Sequence, residues 1–152
     1  MAWLFSLSAE CGPAKEAAEA FASHFEGFVV SLHDGSRFQC NSSVQHFEDW
    51  WACVLPVGVS RSGINNQDDE RQLTLIGNAL YERLCSAPPF RYAIVGVELE
   101  EFRNFSELDN DVAELDFNGL VLSDAVWKHV GSLSSFVPFE TGYRWRPFVK
   151  AR

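Results

Sequence analysis

No run of this chain approaches the roughly 18 uninterrupted apolar residues that a membrane-spanning helix needs. Basic side chains are scarce, 12 against 21 acids, which leaves a formal charge of −9. A field of that sign repels a phosphate backbone, so nucleic acid is not an expected partner. The sequence lacks G-x-x-x-x-G-K-[ST], G-x-G-x-x-G and G-x-S-x-G. Those absences remove the common phosphate loops and the nucleophile elbow of α/β-hydrolases. Its four cysteines, Cys11, Cys40, Cys53 and Cys85, form no C-x-x-C pair. They read as small apolar residues of a reduced, cytoplasmic protein. The opening Met1 to Cys11 lacks a basic stretch before its apolar residues. It reads as a first β-strand rather than a secretory leader.

What is present is apolar and aromatic. With 152 residues, 47% of them apolar, the chain has the size and composition of one globular domain that buries a sizeable core. No repeat or low-complexity linker divides it, so residues 1–152 read as a single domain.

Pro13 to Glu26 carries Ala14, Ala17, Ala18, Phe21, Ala22 and Phe25 at helical spacing, with Gly27 as the stop. Phe28 to Leu32 and Arg37 to Cys40 read as strands about the Asp34-Gly35 turn. Ser42 or Ser43 then reads as the cap of a helix reaching Leu55, with Val44, Phe47, Trp51, Val54 and Leu55 as its stripe. Val57 to Asn66 reads as a strand end and a mobile loop. Asp68 opens a third helix whose buried stripe is Leu73, Ile76, Leu80 and Leu84. Phe90 to Leu99 is the clearest strand, apolar throughout from Ala93 to Val97. Gly119 to Leu122 is short and apolar, and Ser123 caps a short helix ending near Gly131. The predicted class is α+β, with helices packed on an antiparallel or mixed sheet.

Chemistry-bearing clusters are few. His33, Cys40, His46 and Cys53 are zinc-type ligands, but their spacing matches no compact finger. Two of them fall on the expected helix without an i, i+4 relation, so turn, cap and core roles are the expectation. No cofactor, no metal and no catalytic residue is expected. Trp51 points into the helical stripe, whereas Trp50 sits at its edge and is a candidate partner contact.

The distinctive segment is Glu98 to Asp116. It holds eight acids, Glu98, Glu100, Glu101, Glu107, Asp109, Asp111, Glu114 and Asp116, against Arg103 alone. Leu108, Val112, Leu115 and Phe117 interrupt the charge. Apolar anchors inside a one-signed field suit fast, tight protein association. Glu101, Glu107, Asp109, Asp111, Glu114, Asp116 and Trp50 are therefore the candidate partner-binding residues. The tail reverses the sign, with Arg144, Arg146, Lys150 and Arg152 against Glu140. Its aromatic run reads as a closing strand with arginines folded over acids.

The run Phe117-Asn118-Gly119-Leu120-Val121-Leu122-Ser123, then Trp127, Phe136-Val137-Pro138-Phe139 and Gly142 to Phe148, resembles the tails of bacterial immunity proteins. Those proteins neutralise the toxins of polymorphic and contact-dependent systems. The resemblance covers about a quarter of the chain and carries over no binding residue. It implies a cytoplasmic monomer or homodimer that inhibits a cognate, basic toxin protein. A secretion chaperone or adaptor of the type III kind, and a small ligand-binding module or enzyme, are the alternatives.

Overall fold

The computed structural model describes residues 2–3, 5–58, 61–62, 67–97, 104–108 and 118–148. Its architecture is α+β. An eight-stranded antiparallel sheet has the order β3-β4-β5-β2-β7-β8-β10-β9. These strands are β2 (Phe5–Glu10), β3 (Val29–Ser31), β4 (Arg37–Phe47), β5 (Asp49–Pro56), β7 (Tyr92–Val97), β8 (Val121–Ser123), β9 (Val137–Glu140) and β10 (Tyr143–Trp145). A separate pair joins β1 (Ala2–Trp3) to β6 (Arg61–Ser62). The helices are α1 (Lys15–Phe25), α2 (Gln67–Leu84), α3 (Phe105–Leu108) and α4 (Asp124–His129).

The strand β2 is central, between β5 and β7. All six of its residues are buried, because both faces of the sheet are covered there. Its alternation sorts the two cores. Phe5, Leu7 and Ala9 join Ala52, Val54, Ala93 and Val95 against Phe21 and Phe25 of α1 and Ile76 and Leu80 of α2. The opposite face is smaller. There Trp51, Tyr92, Ile94, Leu120 and Leu122 meet Leu108 of α3, Val126 of α4, Val130 and Phe136.

The expected helix from Ser42 to Leu55 does not form. That stretch is the second half of β4, a tight turn at Glu48, and β5, paired in register from Cys40 opposite Pro56 to Phe47 opposite Asp49. Val44, Phe47, Trp51 and Val54 fit a helical stripe, but in the hairpin Val44 and Val54 lie on one face and Phe47 and Trp51 on the other, and β-branched and aromatic side chains favour the sheet. No Gly or Asn marks the turn; Glu48 itself takes a φ of 60°. Consequently Trp50 and Trp51 face opposite sides of the sheet. The remaining expectations fare better. The first and third helices, the Phe90 strand and the Ser123-capped helix are all present, the last with Ser123 Oγ accepting from the Val126 N–H. The tail closes the sheet as β9 and β10, with Arg144 over the Trp127 ring and 3.8 Å from Asp124.

The cysteines divide. Cys11 and Cys40 are buried, Cys53 is half-buried, and Cys85 is exposed rather than a core residue. Burial raises the Cys40 thiol from 9.0 to about 11. Burial, then the Glu10 charge, raises Cys11 to about 12. Above pH 9 the unfolded chain therefore releases thiol protons that the native chain keeps, so stability falls as pH rises. Each thiol contributes up to about 1.4 kcal/mol per pH unit in that window. Urea unfolding under reducing conditions at pH 8 and pH 10 should show the loss, and Cys40→Ala should make it shallower. An identical slope in the variant would remove Cys40 from the account.

Candidate partner-binding site

The end of β2, the start of β7 and the β4–β5 turn meet at one end of the sheet. Glu10 is fully buried there. Its carboxylate accepts from Arg91 Nε at 2.7 Å, from Arg91 Nη2, and from the Gly12 N–H at 2.7 Å. Arg91 Nη2 also donates to Asp49. Burial works against the Arg91 charge, but the bonds and fields of Glu10 and Asp49 outweigh it and raise its pKa. A buried carboxylate is tolerated only with such pairing. Next to it, burial, followed by the charge of Glu10, pushes the Tyr92 hydroxyl up.

This ion cluster is also the seat of α3. The Arg91 guanidinium lies 4.0 Å from the centroid of the Phe105 ring, a cation–π contact. Phe105 in turn stacks on His129 at 5.1 Å. Ser106 Oγ donates to the Glu48 carboxylate at 2.7 and 2.9 Å. Leu108 is fully buried in the second core. The Asn104 N–H donates to Glu107 Oε1 at 2.9 Å, so Glu107 caps α3 from an exposed position.

Residue 118 marks the return of the chain from the acidic segment. Tyr81 Oη donates to the Gly119 carbonyl at 2.7 Å and accepts from the Val95 N–H at 3.0 Å. The Gly119 N–H donates to the Arg146 carbonyl, and Leu120 is buried. Both flanks of the stretch 109–117 are thus tied to the sheet. That stretch holds Asp109, Asp111, Glu114 and Asp116 and no base.

Of the sequence candidates, Glu107 and Trp50 are described. Glu101, Asp109, Asp111, Glu114 and Asp116 lie outside the described residues. Glu107 belongs to the face covered by α3 and α4. Trp50 packs towards α1, stacked on His46 at 4.4 Å with Lys15 Nζ 5.3 Å from its ring centroid. The two therefore sit on opposite faces. The zinc-type set is likewise separated: His33 is in the β3–β4 turn, and Cys40 and Cys53 lie on opposite faces of adjacent strands. Among the described residues no three His, Cys, Asp or Glu side chains gather as a metal group. No helix among them is long and apolar enough to cross a membrane.

Sequence reasoning missed Glu10, Asp49 and Arg91. A lone acid closing an apolar strand and a lone base opening another were the available signal. On the face carrying Cys53, a cavity of about 240 Å³ is lined by Ser6, Asn41, Ser42, Ser43, Gln45, Cys53 and Leu55, with no charge in its walls. The buried Ser6 hydroxyl has no partner among the described residues. Comparison with known proteins finds no matching family model, no matching curated protein and no matching solved structure.

Proposed function

We propose that this protein is an inhibitor of the immunity type, which binds a basic, secreted toxin of its own producer in the cytoplasm. It acts by stoichiometric binding, without a reaction of its own. The observation that supports this reading best is the anchoring of the acidic stretch 109–117 at both flanks. Arg91, Glu48 and the second core hold α3 before it, and Tyr81 holds Gly119 after it. Arg91, the cation at its base, is already engaged by Glu10 and Asp49, so Glu48 and Glu107 add to the negative field there. Such a field accelerates encounter with a basic surface and mimics the phosphates that a nuclease attracts.

The test is co-expression with the protein encoded beside it, scored for growth rescue and for a one-to-one complex. Rescue with such a complex is the expected result. Neutralising Glu107, Asp109, Asp111 and Glu114 to amides should then slow association about tenfold or more at low salt, with the difference shrinking as salt screens it. A harmless neighbour that co-purifies only as partly unfolded cargo would turn the reading to a secretion chaperone. Tight binding indifferent to both salt and neutralisation would remove the acidic surface from the mechanism.

A further inference from the structure

Burial on both faces makes apolar side chains the rule for a central strand, and one face of β2 breaks that rule. Phe5, Leu7 and Ala9 join the larger core, whereas Ser6, Ser8 and Glu10 take the opposite face, all three buried. Glu10 is answered by Arg91 and Gly12. Ser6 is 1% exposed, and among the described residues its hydroxyl has no partner. A hydroxyl withdrawn from water without a bond costs stability that alanine would not. In native folds such atoms are few, and they gather where function or a bound molecule uses them.

The ladder gathers polar neighbours around Ser6. Ser8, Cys53 and Ser43 lie side by side across β2, β5 and β4. Asn41, Ser43 and Gln45 follow one another along β4 on that same face. Gly96, the residue of β7 opposite Ser6, brings no side chain. The helices of this face, α3 and α4, pack instead over Trp51, Tyr92, Ile94 and Leu122. The cavity of about 240 Å³ opens beside them. Asn41 and Ser43 are exposed at its mouth, Gln45, Cys53 and Leu55 are half-buried in its walls, and Ser6 is its floor.

The walls select the ligand. They bear hydroxyls, carboxamides and a thiol, with no formal charge. An ion would shed its water there without a countercharge, so the occupant is neutral. Hydroxyls and carboxamides each donate and accept, so the occupant does both. These groups are spread over three strands, about 5 Å apart across the sheet and about 7 Å apart along β4. A single amide cannot reach them together, whereas a ring with hydroxyls on several sides can. The volume is that of about eight waters at ~30 Å³ each, which is room for one sugar ring and not for a nucleotide. We propose that this cavity binds a neutral, polyhydroxylated molecule of monosaccharide size. Ser6 Oγ is its deepest hydrogen-bonding contact, with Asn41, Ser43 and Gln45 around the rim. Binding here does not require the inhibitor function.

The probes are D-glucose, D-galactose, D-mannose and myo-inositol, with D-glucosamine and D-glucuronate as charged controls. The readout is the backbone amide shifts of the full chain, followed by NMR. At least one neutral probe should move the Ser6, Ser43 and Cys53 signals saturably, and the charged controls should not. Ser6→Ala should weaken that binding about fivefold. Urea unfolding of the same variant should show stability unchanged or raised, because no bond is lost. A merely structural hydroxyl would leave the affinity where it was. Ser43→Leu fills the mouth from an exposed strand position and should abolish binding, which keeps the test open if Ser6→Ala does not fold. No saturable shift with any neutral probe, equal binding of the charged controls, or shifts remote from the cavity would each overturn the proposal. Full affinity in Ser6→Ala, or unchanged shifts in Ser43→Leu, would overturn it as well.

Discussion

Arg91→Ala should destabilise the protein by about 3–5 kcal/mol, because it strands the Glu10 carboxylate in a buried site without its countercharge. For a domain of this size that corresponds to a fall in Tm of about 10 °C. Three bonds to carboxylates disappear together, and the Gly12 N–H remains as the described donor to Glu10. Arg91→Lys keeps the charge but cannot span Glu10 and Asp49 with a planar fork, so an intermediate loss is expected. The decisive comparison is Glu10→Gln in the Arg91→Ala background. Removing the orphaned charge should recover part of the stability, a coupling that only a double-mutant cycle reveals. Equilibrium urea unfolding of the four proteins makes the measurement. Additive losses would mean that Glu10 and Arg91 do not act as a pair. The same substitution removes the guanidinium face from Phe105. Exchange of the α3 amides should therefore rise by more than the global loss explains, and on the proposed inhibitor function association with a basic partner should weaken with it.

The elements legible in the sequence are those whose period belongs to one structure only. Phe21, Ala22 and Phe25, and Leu73, Ile76, Leu80 and Leu84, repeat at three and four over long stretches, and all lie buried on α1 and α2. Ala93 to Val97 is apolar throughout because β7 is covered on both faces. The β4–β5 hairpin was illegible for two local reasons. Its apolar residues are divided between the two faces of the sheet and so show no strand alternation, and its turn uses a glutamate at φ 60° where glycine or asparagine is the usual signal. The consequence reached the site. With 42–55 taken as a helix, Asp49 could not be placed beside Glu10, nor Glu48 beside Ser106. Glu10 and Arg91 are 81 residues apart, and only the pairing of β2 with β7 brings them together. Local patterns carry no information about such pairings. The acidic segment is the reverse case: its charge is plain in the sequence, and its anchoring at Phe105, Leu108 and Gly119 becomes visible only in the fold.

Gly119→Ala should cost about as much as the loss of Arg91, through a separate mechanism. Gly119 has a φ of 89°, and an added Cβ would lie 2.2 Å from Tyr81 Oη and 3.0 Å from the Phe148 ring. Backbone conformation alone accounts for about 1–2 kcal/mol. The larger share comes from Tyr81. Its hydroxyl, held protonated by burial, must leave both the Gly119 carbonyl and the Val95 N–H. Each buried group so abandoned costs about 1–3 kcal/mol. Gly142 supplies the control. It has the same φ of 89° with nothing within 4 Å, so Gly142→Ala should show the conformational share without the collision. Tyr81→Phe supplies the other half, since it deletes both bonds and leaves the ring among Phe139, Trp145 and Phe148. In the double variant the colliding oxygen is gone and the nearest Tyr81 carbon to the new Cβ is 3.2 Å away. Tyr81→Phe with Gly119→Ala should therefore cost clearly less than the two single losses added. Strict additivity would show that the Tyr81 hydroxyl does not fill the space under Gly119. Sub-additivity would establish that α2, β7 and the return of the acidic segment share one buried hydroxyl. On the proposed inhibitor function, a change at Tyr81 should then alter how tightly a basic partner is held.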